Sequence, residues 1–249
     1  MVGTGSGPVG ALHAALAGLV DLVLPSTCAG CGVDGPALCP VCAAPLRGPA
    51  HPTRPDPPPV GLPPAWAVAT YAGPVRAAVV AHKEEGRRAL CHPLAEALAR
   101  SVGAAAAGAS GPVLLVPAPS RGAAVRARGH DPTRRLARDA GALLRRDGLD
   151  LDVVTGLRVR PGTLDQAGLS AAERSANVAG AMRVTRPGAR LVRGRTVVVV
   201  DDVVTSGATL AEAARSLRAA GADVAGAAVV AATRRAVSAP RPGVSRTVR

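Results

Sequence analysis

The sequence predicts an α/β protein: a mainly parallel, doubly wound sheet flanked by helices, preceded by a small N-terminal helix and a four-cysteine zinc ribbon. Three observations carry that expectation. From Trp66 onward, short β-branched runs alternate with alanine- and leucine-rich stretches of helical character. Four valines in succession, Val197 to Val200, have the pattern of a strand buried on both faces, and Asp201 and Asp202 follow where that strand is expected to run out. Cys28-x-x-Cys31 and Cys39-x-x-Cys42, separated by seven residues, have the spacing of two facing zinc knuckles.

The chain's 249 residues suffice for one substantial core plus a small accessory unit. The formal charge of +13 would ordinarily point to nucleic acid or an anionic ligand, but Lys83 is the single lysine among 30 basic residues. Alanine and arginine are abundant throughout, so compositional bias accounts for much of the excess. With no Phe, one Trp (Trp66) and one Tyr (Tyr71), a base-stacking platform for single strands lacks its usual parts.

Taken in order, the apolar run Val9 to Leu24 is too short to span a bilayer and contains Asp21; it reads as a helix packed on its own protein. No basic residue precedes it, so no secretory signal or membrane partner is expected, and the protein is expected in the cytoplasm. Four thiolates from Cys28, Cys31, Cys39 and Cys42 would close a tetrahedral zinc site of structural type. A pair of disulfides is the competing reading, disfavoured without an export signal. Residues 1–48 thus form a metal-dependent unit. Between Pro45 and Pro64 nine of twenty residues are proline, which reads as an extended linker, with 49–64 separating that unit from a main domain over 65–233.

Within that domain a strand is expected at Trp66 to Tyr71, and a helix from Gly73-Pro74 to about Lys83. A second helix is expected from about Leu90 to Val102, carrying Cys91 as a buried, inert thiol, with a loop over Gly103 to Gly111. Val113 to Val116 reads as a buried strand. Asp131 is a good N-cap and Pro132 a good first residue for a helix to about Arg146. Val153-Val154, Leu157 to Arg160 and Met182 to Val184 read as short strands, and Thr196 to Val200 and Val224 to Ala231 flank a helix from Leu210 to Ala220. His82, His92 and His130 read as satisfied or exposed histidines. The tail from 234 to 249 holds five arginines and no acids, and reads as disordered.

The chemistry concentrates after Val200. Thr205, Ser206, Gly207, Ala208 and Thr209 make a small-residue turn into a helix, where backbone N–H groups, hydroxyls and the positive helix end suit a phosphate monoester. Asp201 and Asp202 are acceptor-only groups that suit the two O–H donors of a sugar diol. A ribose 5-phosphate unit carries both features. A second polar stretch, residues 160–178, is long for a loop in a compact domain, which marks it as functional or disordered. Ser170 and Glu173 form a capping box there, whereas Thr163, Gln166, Arg174 and Asn177 have no such structural reason.

The strand, acidic pair and turn resemble the fingerprint of type I phosphoribosyltransferases. With the apolar N-terminal helix, the four-cysteine ribbon, Tyr71-Ala-Gly73-Pro74-Val75-Arg76, Arg128-Gly129 and the Thr163/Gln166/Arg174/Asn177 loop, the chain resembles the ComF family over nearly its whole length. That resemblance implies the type I phosphoribosyltransferase fold. It also implies phosphoribosyl pyrophosphate as ligand, held with magnesium: Asp201 and Asp202 on the ribose hydroxyls, and Thr205, Ser206, Gly207, Ala208 and Thr209 on the 5-phosphate. Ser120, Arg121 and Lys83 are then expected at the pyrophosphate. Gln166, Arg174 and Asn177 are expected as catalytic residues on a lid formed by the long loop. Two outcomes are open: transfer to a nitrogenous acceptor with release of pyrophosphate, or a non-catalytic role in sensing or DNA uptake, with single-stranded DNA or uptake proteins as partners. The chain departs from the family's pattern at Glu84-Glu85 and at His130-Asp131-Pro132.

Overall fold

The computed structural model describes residues 27–120, 129, 131–160 and 180–233. The N-terminal run Val9 to Leu24, the loop carrying Gln166, Arg174 and Asn177, and the tail lie outside the described residues.

Six strands form the main sheet. They are β1 (His51–Thr53), β2 (Ala65–Thr70), β3 (Val113–Pro117), β4 (Leu151–Val153), β7 (Thr196–Val204) and β8 (Asp223–Ala232), in the spatial order β1-β2-β8-β7-β3-β4. All neighbours pair in parallel except β1, which runs antiparallel to β2 at one edge. β5 (Leu157–Val159) and β6 (Met182–Val184) form a separate antiparallel pair.

The valine run alternates between two cores, as a strand buried on both faces must. Val198 and Val200 pack with α2 (Gly73–Lys83), α3 (Cys91–Ala106) and α4 (Pro132–Arg146) through residues such as Val75, Leu94, Leu98 and Leu136. Val197 and Val199 pack on the other face with α5 (Arg186–Val192) and α6 (Ala208–Ala219) through Val192, Leu210 and Leu217. Helices on both faces of a mostly parallel sheet are the doubly wound arrangement the alternating pattern implies. The caps follow the sequence: Asp131 accepts from the Arg134 N–H at 3.2 Å at the start of α4, with Pro132 in its first turn. Among the described residues no helix is long and apolar enough to cross a membrane.

Three segments differ from expectation. β7 does not end at Val200 but continues through both acids to Val204, because β8 keeps pairing with it: Asp201 opposes Val229 and Val204 opposes Ala232. On its other side β3 stops at Pro117, opposite Val200, so the acids sit where β7 has lost one neighbour. α3 runs past Gly103 to Ala106, since Ala104, Ala105 and Ala106 favour helix strongly enough to carry one glycine. The proline-rich stretch is not a free spacer: it holds a 3₁₀ turn at Ala44–Arg47, whose Leu46 is buried in the main core, and it supplies β1. Pro52 is tolerated there because β1 is an edge strand.

Candidate functional site

Two side-chain clusters stand out, one of sulfur and one of carboxylate. The thiol sulfurs of Cys28, Cys31, Cys39 and Cys42 all lie within 4.8 Å of one another. A tetrahedral ion with metal–sulfur bonds of about 2.3 Å places its sulfurs roughly 3.8 Å apart, and Cys31 and Cys39 are separated by 3.9 Å. The geometry therefore fits a four-coordinate metal with no open position.

The turns that build it are tight. The Gly32 N–H donates to the Cys28 carbonyl at 2.8 Å in the first knuckle, and Cys39 caps the short helix α1 (Pro40–Ala43) in the second. Burial works against ionisation of Cys28, but backbone N–H groups of Cys39, Cys31 and Gly30 outweigh it and bring the thiol down to about 6. Burial and the neighbouring sulfurs push Cys42 up to about 12. Glycine is required at position 30 by close approach: a Cβ there would lie 2.7 Å from Cys42 Sγ and 2.8 Å from Pro74 Cβ. The cluster thus packs directly on the first turn of α2, and Arg87, just beyond the end of α2, donates to the Thr27 carbonyl. Cys91 stands apart; buried, and donating to Asp139 at 3.0 Å, it is pushed up to about 12 by that burial and carboxylate.

The carboxylate cluster lies at the carboxyl end of β7. Asp202 projects to the α2 face of the sheet, where Lys83 Nζ meets its Oδ2 at 2.7 Å. Asp201 is half-buried. Enclosure of its carboxyl and the charge of Asp202 push it well above the ordinary carboxylate range, against the pull of Lys83. Burial disfavours the Lys83 charge, but Asp202, Asp201 and Glu84 together raise it above its ordinary value. A cavity of about 310 Å³ opens here, lined by Tyr71, Val79, Val80, Lys83, Glu84, Asp201, Asp202, Val203, Thr205 and Thr209.

After β7 the chain turns sharply through Thr205, Ser206 and Gly207 into α6. Gly207, with φ 75°, is the left-handed residue that aims the turn. The Ser206 hydroxyl lies 3.5 Å from the Ala208 N–H, and helix bonding starts with the Ala211 N–H on the Gly207 carbonyl. The first N–H groups of α6 therefore have no acceptor within the helix and lie at the carboxyl end of β7, the arrangement that receives an anion at a helix N-terminus.

Of the residues singled out in the sequence, Lys83, Asp201, Asp202, Thr205 and Thr209 share one cavity, with Ser206, Gly207 and Ala208 forming its adjoining turn. Ser120 follows β3 but is not among the lining residues; its hydroxyl donates to Asp131 at 3.0 Å. Arg121, Gln166, Arg174 and Asn177 lie outside the described residues. Glu212 had no signal in the sequence, since an acid on an alanine-rich helix looks solvated. It is buried on α6, clasped by Arg215 at 2.6 and 2.8 Å, and accepts the Met182 N–H at 3.0 Å. It ties α6 to β6.

A doubly wound sheet, an acidic pair at the carboxyl end of a central strand and a turn entering a helix N-terminus define a nucleotide- or sugar-phosphate-binding class of α/β protein. The phosphoribosyl transferase domain model matches residues 120–248, just over half of the chain, and the protein belongs to that family. A comparison with curated proteins finds no match.

Proposed function

We propose that the protein binds phosphoribosyl pyrophosphate with magnesium at the carboxyl end of β7 and transfers the phosphoribosyl group to a nitrogenous acceptor, releasing pyrophosphate. The observation that carries this reading is the single cavity joining Asp201 and Asp202 to the Thr205–Thr209 turn within a phosphoribosyl transferase domain. Asp201 and Asp202 accept the ribose 2- and 3-hydroxyls. The N–H groups and hydroxyls of Thr205, Ser206, Gly207, Ala208 and Thr209 hold the 5-phosphate. Lys83 reaches the pyrophosphate together with Ser120 and Arg121, exchanging its bond to Asp202 for a phosphate oxygen.

The oxygen-only donors of the acidic pair suit a hard cation shared with substrate oxygens, and magnesium, when bound, supplies charge compensation at the leaving pyrophosphate. Gln166, Arg174 and Asn177 close over the donor from the long loop. Water exclusion and charge stabilisation, rather than a protein nucleophile, then govern displacement at the anomeric carbon. Cys28, Cys31, Cys39 and Cys42 hold a structural zinc ion.

Replacing both Asp201 and Asp202 by Asn is expected to abolish calorimetric binding of phosphoribosyl pyrophosphate with magnesium while leaving the circular dichroism spectrum intact; undiminished affinity rejects the reading. A donor-binding sensor or DNA-uptake accessory differs in having no acceptor, and acceptor-dependent pyrophosphate release separates it from a transferase.

A further inference from the structure

A turn that receives a phosphate gets little stiffening from the helix it opens. The first helical bond of α6 runs from the Ala211 N–H to the Gly207 carbonyl, so the N–H groups ahead of it have no helical acceptor, and contacts from outside have to set the turn's shape. The proline-rich stretch supplies them. At the position a Cβ on Gly207 would take, Pro55 Cγ is 3.1 Å away and Leu62 Cδ1 and Cδ2 are each 3.3 Å away. Both side chains therefore press on the backbone of the left-handed residue that aims the turn.

These two residues sit on a segment pinned along its length. Residues 54–64 join β1 to β2, which pair with Thr53 opposite Ala65. The Pro64 carbonyl accepts the Ala227 N–H of β8 at 2.8 Å, and the Gly61 carbonyl accepts from Arg218 Nη1 at 2.8 Å. Arg218 is in the last turn of α6 and Gly207 caps its first, so the segment touches α6 at both ends. Pro55 and Pro63 are buried, and Leu62 packs against the core on the α6 face of the sheet. Prolines at 55, 57, 58, 59, 63 and 64 fix φ over more than half of the segment, so holding it in place costs little backbone entropy.

Resting on the donor assignment of the preceding section, we infer that residues 54–64 are a strap that sets the 5-phosphate turn. Leu62 and Pro55 are positioning residues for the N–H groups that hold the phosphate, and Arg218 anchors the strap along α6. The effect is confined to one end of the donor. Leu62 packs on the face that carries α6, whereas Lys83, assigned to the pyrophosphate, reaches Asp202 from α2 on the opposite face. Loosening the strap therefore costs the turn its aim and leaves the pyrophosphate contacts in place. The strap also lies outside residues 120–248, so a turn within the matched phosphoribosyl transferase region is completed by chain that precedes it.

Calorimetry on the full-length, zinc-loaded protein with magnesium tests this with three ligands: phosphoribosyl pyrophosphate, ribose 5-phosphate and inorganic pyrophosphate. In Leu62→Ala the affinity for the first two is expected to fall about tenfold and that for pyrophosphate to stay within about twofold, since a small misplacement is enough to lose the turn's hydrogen bonds. Leu62→Met, which refills the space, restores both affinities. Arg218→Ala removes the exposed anchor and no buried group; it gives the same selective loss at about threefold, and carries the test if Leu62→Ala does not fold. A loss shared equally by ribose 5-phosphate and pyrophosphate, or unchanged affinity for phosphoribosyl pyrophosphate in the variants that fold, overturns the inference and leaves the donor assignment standing. A wild type that binds no phosphoribosyl pyrophosphate removes the donor assignment and this inference with it.

Discussion

Gly207 stands at φ 75°, and a Cβ built on it would lie 3.1 Å from Pro55 Cγ and 3.3 Å from Leu62. Strain and crowding therefore act together at the entry to α6. Gly207→Ala is expected to destabilise the protein by about 1 to 2 kcal/mol from the left-handed backbone alone, read from the denaturant midpoint. It should also weaken donor binding, because the N–H groups of the turn lose their aim. At this scale the sequence was informative: Gly207 and the hydroxyls around it suit a turn whose left-handed position disfavours a β-branched residue. Glu84 was legible only as a departure from a family pattern, since its place on a cavity wall depends on how α2 lies over the sheet.

The α6 helix shows how an element is held rather than merely formed. Its Glu212 joins Arg215 on its own helix to the backbone of Met182 on β6, and Ser216 adds a bond to the Met182 carbonyl at 3.2 Å. Burial alone would raise the Glu212 carboxyl, but Arg215 and the N–H groups of Met182 and Gly180 hold it below its ordinary value of 4.5. The folded state then binds the proton less readily than the unfolded chain. Its contribution is complete above that ordinary value and is lost as pH falls through the folded one. The melting temperature of the wild type should accordingly fall more steeply below pH 4.5 than that of Glu212→Gln. At neutral pH the substitution should cost about 1 to 2 kcal/mol; parallel pH profiles would reject the assignment. Periodicity located α6, as it located α4 from its cap to Arg146. It did not end β7 correctly, because the strand's length is set by which neighbour continues to pair: β8 goes on after β3 has stopped.

Across the whole molecule the cysteine cluster is joined to the main core. Leu46 packs among the α2 and α3 residues, and its carbonyl accepts from Arg100 at 2.9 Å. Gly30 abuts Pro74 at the head of α2, whose far end presents Lys83 to Asp202. Removing a structural zinc ion, worth on the order of 10 kcal/mol in isolated small domains, should therefore be felt beyond residues 28–42. Metal analysis of reduced protein is expected to give one zinc per chain. Chelation should lower the melting temperature and the affinity for phosphoribosyl pyrophosphate together while the far-ultraviolet spectrum of the sheet persists. A chelated protein with unchanged melting and affinity would show the cluster to be independent of the site.

By itself the sequence determined the fold class, the two knuckles, and the strand-acid-turn segment after Val197. These are local: periodicity, paired thiols three positions apart in each turn, and side chains contiguous along the chain need no knowledge of distant neighbours. Only the tertiary structure decided that Lys83 meets Asp202, 119 residues away. The same holds for Leu46, which joins the main core from within a proline-rich stretch, and for Glu212, a buried clasp. Each of these depends on packing helices and a 3₁₀ turn against the faces of one sheet, and no periodicity within a single segment encodes which residues such packing will bring into contact.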